Sequence, residues 1–282
     1  MTRQGSGFRR RAFQALDRPG FRRGLGLARS AEILARDREL CVVAPDRAGG
    51  WRLRSRDAVL LGPAPNIRAP RRLRQRVIDV FCHVFRPGPG DVVLDIGAGV
   101  GREGIVFSRL VGADGVVHCV EAHPVTVEVL NRLCQLNQLD NVRCHHLAIS
   151  DRSGEVMINT EQEADRYYRN KLVSEGRGGV AVPAVTLADF IGREQIEAVD
   201  LLAMNIEGAE SAALRGMAPV VERVRNVAIG CHDFIADETG DDTMRTKSDV
   251  REFLLEHGFT VTDAPDHGPR WRRDFIYGTR RS

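Results

Sequence analysis

The feature that most constrains the fold is the regular alternation of strand-like and helix-like segments after residue 90. Short runs rich in Val, Ile and Leu ("DVVLDIG", "GVVHCVEA") alternate with longer amphipathic runs ("REGIVFSRLVG", "PVTVEVLNRLCQLNQL"). Strands separated by such helices join as parallel neighbours, with helices on both faces of the sheet. The last strand-like runs, "TVTDA" and "DFIYGTR", lie close together, so one of them is expected to be antiparallel to its neighbours. The sequence therefore predicts a doubly wound α/β domain with a mostly parallel sheet.

The segment before this domain differs in composition. Residues 1–38 contain ten arginines and only three acids. The following run, "LCVVAPDRAGGWRLRSRDAVLLG", has short strand-like pieces broken by Pro-Asp and Gly-Gly, which is typical of a small β-hairpin. We interpret residues 1–68 as an arginine-rich extension with a short hairpin, and residues 69–282 as the main domain. An arm for an acidic partner is the alternative, but a net charge of +3 gives nucleic acid no independent support.

Cysteine usage and hydropathy exclude several classes of protein. The six cysteines form no C-x-x-C pair and no regular spacing, so neither a zinc site of that type nor a disulfide framework is expected. Reduced thiols are typical of the cytoplasm. No apolar run approaches the ~20 residues of a membrane helix, and the arginine-rich start leads into no apolar secretory core. We therefore expect a cytoplasmic protein without membrane association.

The first strand of the alternating region ends in a glycine-rich loop, "DIGAGVG", which contains Gly97, Gly99 and Gly101. Glycines let a backbone turn tightly and approach a ligand, and ligands of open α/β sheets bind at the carboxyl ends of the strands. A dinucleotide fingerprint would need glycine at position 102, where the chain has Arg102, and the Asp95 carboxylate would repel a pyrophosphate. That carboxylate favours a ligand with an ammonium group and no phosphate, such as S-adenosylmethionine.

The next two strand ends offer further contacts for this cofactor. Glu121 ends the second strand, 26 residues after Asp95, where a carboxylate can accept hydrogen bonds from both ribose hydroxyls. The third strand leads into "HHLAIS", where an adenine can lie against Ala148. Taken singly, the glycines could form an ordinary turn and Glu121 could cap a helix. Together, at successive strand ends, they predict S-adenosylmethionine as the cofactor.

In their order along the chain, these motifs resemble the FkbM-type family of S-adenosylmethionine-dependent methyltransferases, over roughly residues 70–280. The resemblance is carried by "VVLDIGAGVG", "VEAHP", "VPAVTLADFI", "VDLLAMNIEGAESAAL" and "VAIGCHDF". It implies the seven-stranded class I methyltransferase fold and methylation of a hydroxyl, often on a natural product or a sugar. It also implies that Asp95, Gly97, Gly99 and Glu121 contact the cofactor.

The family signature after the fourth strand corresponds to "NIEGAE", with Asn205, Glu207 and Glu210. In this architecture that strand end lies beside the cofactor's methyl group, so we expect Asn205 at the cofactor and Glu207 at the reacting centre. Glu210 is expected only to complement the macrodipole of the helix that it begins. The signature commonly has Lys and Asp where this chain has Ala203 and Asn205. A metal site or general base at position 205 would therefore lack its carboxylate.

Methyl transfer from a sulfonium requires an acceptor oxygen aligned opposite the sulfur, and the removal of its proton. "GCHDF" places His232 and Asp233 at the end of the fifth strand. His232 is the candidate general base because imidazole titrates near neutral pH, and Asp233 is expected to orient a neighbour or to bind a cation. Asn205, Glu207 and Asp233 would offer oxygen ligands for Mg²⁺. A polar strand-to-loop corner is the alternative interpretation.

The acceptor is expected to be a small-molecule hydroxyl, bound by the 161–179 loop with Tyr167 and Tyr168 and by "HGPRWRRDF" with Arg270 and Trp271. Two alternatives stay open. One is a nucleic-acid methyltransferase, although the sequence has no Asn-Pro-Pro-Tyr element and no Pro-Cys nucleophile. The other is a non-catalytic S-adenosylmethionine-binding protein, for which Asn205 is the best argument. A homo-oligomer is compatible with the sequence.

Overall fold

The computed structural model describes Arg18 and residues 20–159 and 179–280. Tyr167 and Tyr168 lie outside these described residues, so their expected contribution to an acceptor pocket stays a prediction. The chain divides into two compact units, Met1–Gln75 and Arg76–Ser282.

In its described residues before Pro70, the first unit has a helix followed by a small antiparallel sheet. Its elements are α1 (Arg22–Asp37), β1 (Cys41–Pro45), β2 (Trp51–Ser55) and β3 (Val59–Gly62). The strands pair in the order β1-β2-β3, where the sequence suggests a hairpin. Trp51, Leu53 and Leu60 are fully buried and form the centre of this unit. Gly26 of α1 faces the backbone of Val43 so closely that a Cβ would overlap its carbonyl, which explains how the helix lies directly on β1.

Helix α2 (Pro70–Phe81) begins at a proline, whose fixed φ suits the first turn of a helix. Leu73, Val77 and Val80 are buried at helical spacing, as the sequence pattern predicts.

The second unit is built on a seven-stranded sheet. Its strands are β4 (Val92–Ile96), β5 (Val116–Glu121), β6 (Val142–His146), β10 (Leu201–Met204), β11 (Asn226–Gly230), β12 (Thr260–Asp263) and β13 (Phe275–Thr279). They pair in the order β12-β13-β11-β10-β4-β5-β6. All neighbours are parallel except β13, which runs antiparallel to both β11 and β12. The predicted seven-stranded, mostly parallel sheet is confirmed, as is the antiparallel strand near its end.

Helices cover both faces of this sheet. They are α3 (Arg102–Val111), α4 (Pro124–Asn137), α5 (Leu187–Arg193), α6 (Glu210–Arg215), α7 (Asp233–Thr239), α8 (Lys247–Glu256) and α9 (Arg270–Arg273), with short 3₁₀ segments at Ala218–Arg223 and Asp242–Met244. On one face Val120 belongs to the core cluster that includes Phe190 of α5 and Leu254 of α8. On the other face a Cβ at Gly104 of α3 would lie 2.9 Å from Cys119 Sγ. Since successive strand residues point to opposite faces, the domain is doubly wound, as predicted.

One predicted strand is wrong in its extent. The run "NVRCHHLAIS" suggests a single strand, but the chain leaves the main sheet after β6 and forms β7 (Ala148–Ile149) in a separate sheet. In that sheet β7 pairs with β9 (Gly179–Val185), which in turn pairs with β8 (Gly154–Asn159). The pairing of β7 with β9 therefore sets the end of β6. The local sequence alone would continue the strand.

No helix among residues 20–159 and 179–280 is long and apolar enough to span a membrane. All six cysteines are free thiols, and five of them are buried.

Candidate functional site

Three predicted site segments meet at the carboxyl edge of the sheet. Strand β4 lies between β10 and β5, and Ile96 at its end is paired with Met204 on one side and Val120 on the other. The loop after β4, Asn205 after β10 and Glu121 at the end of β5 therefore lie next to one another. The structure brings these segments together because parallel strands end at a common edge.

The loop after β4 depends on glycine for its backbone path. Gly97, Gly99 and Gly101 all have positive φ, at +79°, +55° and +80°. The N–H groups of Gly97 and Ala98 both donate to Val120 O, at 2.9 and 3.0 Å, and this fixes the loop against β5. A Cβ on Gly97 would overlap the carbonyl of Asn205, whereas a Cβ on Gly99 would meet no atom within 4 Å. The loop is thus tightly packed at Gly97 and open at Gly99.

Glu121 holds the open part of the loop. Its carboxylate accepts hydrogen bonds from the N–H of Gly99 and the N–H of His123, both at 2.8 Å. Burial raises the pKa of Glu121, and these backbone hydrogen bonds offset part of that rise. Each carboxylate oxygen has a second lone pair, so Glu121 can still accept hydrogen bonds from the hydroxyls of a ligand.

Asp95 places a buried carboxyl group at the base of this loop. Its side chain is 4% exposed, and the Cys119 thiol lies 3.9 Å from Oδ2. Burial, followed by the nearby charges of Glu103 and Glu121, raises the pKa of Asp95 well above its usual range. A ligand cation placed here would relieve this repulsion, whereas a phosphate would increase it. The carboxylates and the open glycine backbone therefore fit a cationic, hydroxyl-bearing cofactor such as S-adenosylmethionine.

Ala148 lies on the small sheet beside this edge. It is buried at 7% exposure, pairs with Ala184, and belongs to an apolar cluster against which Ala122 packs. Since Ala122 directly follows Glu121, Ala148 is close to the strand end where the sequence predicts an adenine.

The opposite side of the loop is formed by the segment after β10. The N–H of Asn205 donates to Ile96 O at 3.0 Å, and Asn205 Oδ1 lies 2.7 Å from where a Cβ of Gly230 would be. The Asn205 side chain is exposed and lies over the end of β11. Glu207 and Gly208 follow with φ of +50° and +97°. A left-handed glutamate costs about 1–2 kcal/mol, so the backbone is strained at Glu207, which is predicted to lie at the reacting centre.

The sequence analysis missed a buried pair between Glu210 and His232. His232 Nδ1 donates to Glu210 Oε1 at 2.8 Å, and the two residues are 5% and 0% exposed. Glu210 also accepts from Thr246 Oγ1 and from the N–H of Gly208, each at 3.0 Å. The sequence analysis gave Glu210 only a helix-dipole role. The signal that it is buried was its position three and four residues before the buried Ala213 and Leu214.

This pair changes the acid–base properties of His232. Burial by itself lowers the pKa of His232. The Glu210 hydrogen bond and the charges of Glu210, Glu207 and Asp274 together raise this pKa by more, so it lies above its usual range. An imidazole held by a carboxylate at Nδ1 has a fixed tautomer and a more basic Nε2. The arrangement is suited to accepting a proton.

Asp233 points to a different element. Its Oδ1 accepts hydrogen bonds from the N–H groups of Thr246 and Lys247, at 3.0 and 3.1 Å, at the start of α8. This contact ties Asp233 to the start of α8, and its expected role in orienting a neighbour or binding a cation stays a prediction. Among residues 20–159 and 179–280, the one group of three His, Cys, Asp or Glu ligands suited to a metal does not include Glu207 or Asp233.

The segment predicted to cover a substrate packs within the domain. The Arg76 guanidinium lies 4.9 Å from the centre of the Trp271 ring, and Trp271 also contacts Phe275 edge to face. Arg270 is exposed. A role for either residue in binding an acceptor stays a prediction.

Comparison with known proteins places this site in a family. The model of the methyltransferase FkbM domain matches residues 95–261, from the acid before the glycine loop to β12. No curated protein is significantly similar to the chain in sequence. Because the match extends over more than half of the chain, the chain belongs to the FkbM methyltransferase family, as its sequence motifs predicted.

Solved structures resemble the chain at low identity. An FkbM methyltransferase from Methylobacillus flagellatus KT is 15% identical with a TM-score of 0.49, over 75% of this chain and 50% of that protein, so the chain spans half its length. Aeropyrum pernix fibrillarin with natively bound S-adenosyl-L-methionine is 15% identical with a TM-score of 0.46, over 85% and 94%. An O-methyltransferase from Bacillus cereus in complex with SAH is 13% identical with a TM-score of 0.47, over 76% and 83%. These values are too low to carry an argument about the substrate.

Proposed function

We propose that this member of the FkbM methyltransferase family binds S-adenosylmethionine at the Gly97–Gly101 loop and transfers its methyl group to a hydroxyl of a small molecule. The observation that carries the proposal is the loop itself. Its backbone is open only at Gly99, and Asp95 and Glu121, two buried carboxylates, lie at its base and its side. This combination favours a cation and hydroxyls over phosphates.

The cofactor-binding residues have separate tasks in this proposal. Glu121 would accept the ribose hydroxyls with the lone pairs that Gly99 and His123 leave available. Asp95 would balance the positive charge of the amino acid moiety. Ala148 would contact the adenine, and Asn205 would lie near the methyl group. When bound, the cofactor supplies an activated methyl group on a sulfonium.

His232 is the proposed general base. Because its Nδ1 is engaged with Glu210, the proton of the acceptor hydroxyl would go to Nε2. Glu210 acts through His232 by fixing its tautomer and stabilising the imidazolium that forms. Glu207 would position the acceptor. Asp233 takes no direct part in proton transfer, and a Mg²⁺ ion held by Asn205, Glu207 and Asp233 is not included, because Asp233 Oδ1 is bound to the start of α8.

The preference for a small molecule is an inference from charge. The 38 acidic residues nearly balance the 41 basic ones, and the proposed site is itself rich in carboxylates, which disfavours a polyanionic acceptor. We keep methylation of nucleic acid as the alternative and a cytoplasmic location as a prediction from the free thiols.

The test is transfer of labelled methyl groups from S-adenosylmethionine to a panel of hydroxylated small molecules, with RNA and DNA in parallel. We expect transfer to one or more small molecules and not to RNA or DNA. In His232→Gln the rate of this transfer should fall at least about 100-fold. His257→Gln, at the position directly after α8, is the matched control. Transfer to nucleic acid alone would replace the proposed substrate class. Unchanged transfer by His232→Gln would remove its role as base.

A further inference from the structure

The structure places a second cluster of potential ligand atoms away from the cofactor loop. It consists of His118 on β5, His145 on β6 and Glu194, which directly follows α5. One donor atom from each residue lies within 4.8 Å of the donor atoms of the other two. His118 and His145 lie on the face of the sheet that α5 covers, where Phe190 packs against both rings. Asp95 contacts Cys119, which points to the opposite face. The cluster and the Asp95 side of the proposed cofactor site are therefore on different faces of the sheet.

The distances suit a transition-metal ion. His118 Nδ1 and His145 Nε2 are 3.1 Å apart, and His118 Nδ1 is 3.8 Å from Glu194 Oε2. Ligand atoms about 2.0–2.1 Å from a tetrahedral zinc ion are about 3.3 Å from one another. These two separations lie on either side of this value, and the separation between the His145 and Glu194 donor atoms is below 4.8 Å. A rotation of the Glu194 side chain toward the two imidazoles would bring the three atoms to bonding distance.

The surroundings hold the two imidazoles in place. The rings of His118 and His145 are stacked, with centroids 5.3 Å apart, and Phe190 packs edge-on against both at near-perpendicular angles of 87° and 88°. His118 is 2% exposed. Rings fixed in this way pay little ordering entropy when an ion enters.

We propose that His118, His145 and Glu194 bind one divalent transition-metal ion, with Zn²⁺ as the best match. Two imidazole nitrogens and one carboxylate form a donor set typical of zinc, and a water molecule would complete four-coordination. An ion would replace the hydrogen bond between His118 Nδ1 and His145 Nε2. It would also compete with Arg143, whose Nη1 lies 3.8 Å from Glu194 Oε2. Its side chain is 57% exposed, so this ion pair is weak and can be displaced. The ion would connect β5, edge strand β6 and the end of α5, and would stabilise the domain without entering the reaction.

The test uses the full-length chain without a polyhistidine tag, stripped of metal with a chelator. Zn²⁺ is titrated by calorimetry and Co²⁺ by visible absorption, since four-coordinate Co²⁺ gives an intense d–d band. We expect one ion per chain, nitrogen and oxygen ligation without a thiolate charge-transfer band, and a higher melting temperature with Zn²⁺. The variants His145→Gln and Glu194→Gln should each weaken binding by about tenfold or more.

Two matched controls make the result decisive. Cys144 is next to His145 on β6, and its Sγ is 3.7 Å from Cys134 Sγ. The variant Cys144→Ser therefore tests whether the ion binds these two sulfur atoms and not the proposed site. His257→Gln tests for binding to another histidine. Both should bind Zn²⁺ as the wild type does. No stoichiometric binding by the folded wild type, equal binding by Glu194→Gln, or loss of binding in Cys144→Ser would each overturn the proposal. None of these outcomes bears on S-adenosylmethionine binding.

Discussion

At the scale of single residues, two glycines in one loop have different structural requirements. Both Gly97 and Gly99 are in the left-handed region, with φ of +79° and +55°. Gly97 faces the carbonyl of Asn205 and Ile206 Cγ2, whereas Gly99 faces open space. The first glycine is therefore required for packing, and the second is required to leave room for a ligand.

This difference predicts distinct results for two alanine variants. Gly97→Ala should lower the free energy of unfolding by roughly 2–5 kcal/mol, because strain adds to overlap with a backbone atom. Gly99→Ala should cost only about 1–2 kcal/mol, yet greatly weaken binding of S-adenosylhomocysteine. Denaturant unfolding and calorimetry measure the two effects. Equal ligand affinity in Gly99→Ala and wild type would show that the cofactor does not approach this backbone.

The Glu210–His232 pair predicts a pKa change in a known direction. Glu210→Gln removes the carboxylate that does most to raise the His232 pKa, while the burial that lowers this pKa remains. The pKa of His232 should therefore fall from above its usual value to below it. NMR titration of the His232 ring measures this directly. If the acceptor is known, the acidic limb of kcat/KM should move to lower pH. A His232 pKa that is unchanged by Glu210→Gln would contradict the coupling.

The same pair predicts how stability depends on pH. A histidine whose folded-state pKa is raised stabilises the fold below the unfolded pKa, and this contribution is lost as pH rises through the folded pKa. The difference in unfolding free energy between wild type and Glu210→Gln should therefore be larger below pH 6.5 than well above it. Denaturant unfolding at several pH values measures this difference. An opposite slope would mean that the imidazolium is not stabilised by Glu210.

The residue scale also shows what a sequence can predict. Asp95, Glu121 and the glycine loop could be placed because each directly follows or ends a parallel strand, and such ends share one edge. The hydrogen bond of Glu210 to His232 could not be predicted, since the residues are 22 positions apart and meet only after β11 and α6 have packed. Glu210 was consequently interpreted by its local helix position alone.

At the scale of elements, the sequence predicts the type of each strand better than its partner. The alternation of apolar and polar runs gave the seven strands of the main sheet. It did not show that β7 leaves β6 to pair with β9, because that choice depends on contacts between Ala148 and Ala184 that are distant in sequence. The edge beside Ala148 is consequently formed by two sheets, which local propensity does not encode.

Asp233 gives a prediction at this scale. Because its carboxylate satisfies two N–H groups at the start of α8, Asp233→Ala should cost about 1 kcal/mol of stability, in the range of a lost helix cap. Asp233→Asn keeps an acceptor oxygen and should cost less. Thermal unfolding and methyl transfer, measured on both variants, distinguish a role of Asp233 in holding the start of α8 from a role in catalysis. A loss of transfer in folded Asp233→Asn, with no loss of stability, would instead support the role in catalysis that the sequence suggests.

At the scale of the whole molecule, the family match and the site coincide. The matched residues 95–261 contain every residue to which the proposed reaction assigns a role, from Asp95 to His232. The unit Met1–Gln75 lies outside the match, and its buried Trp51 and Leu53 show a core of its own. The expected role of the arginine-rich start as an arm for an acidic partner therefore has no counterpart in the family match.

The most direct test of the central claim is the melting temperature of the purified protein with S-adenosylhomocysteine and, separately, with NAD⁺. A ligand that binds only the native state stabilises it by about 2.7 kcal/mol at a hundredfold excess over its dissociation constant. We predict a clear increase with S-adenosylhomocysteine, none with NAD⁺, and a much smaller increase in Asp95→Asn. No increase with S-adenosylhomocysteine, or an increase with NAD⁺ instead, would contradict the proposed cofactor.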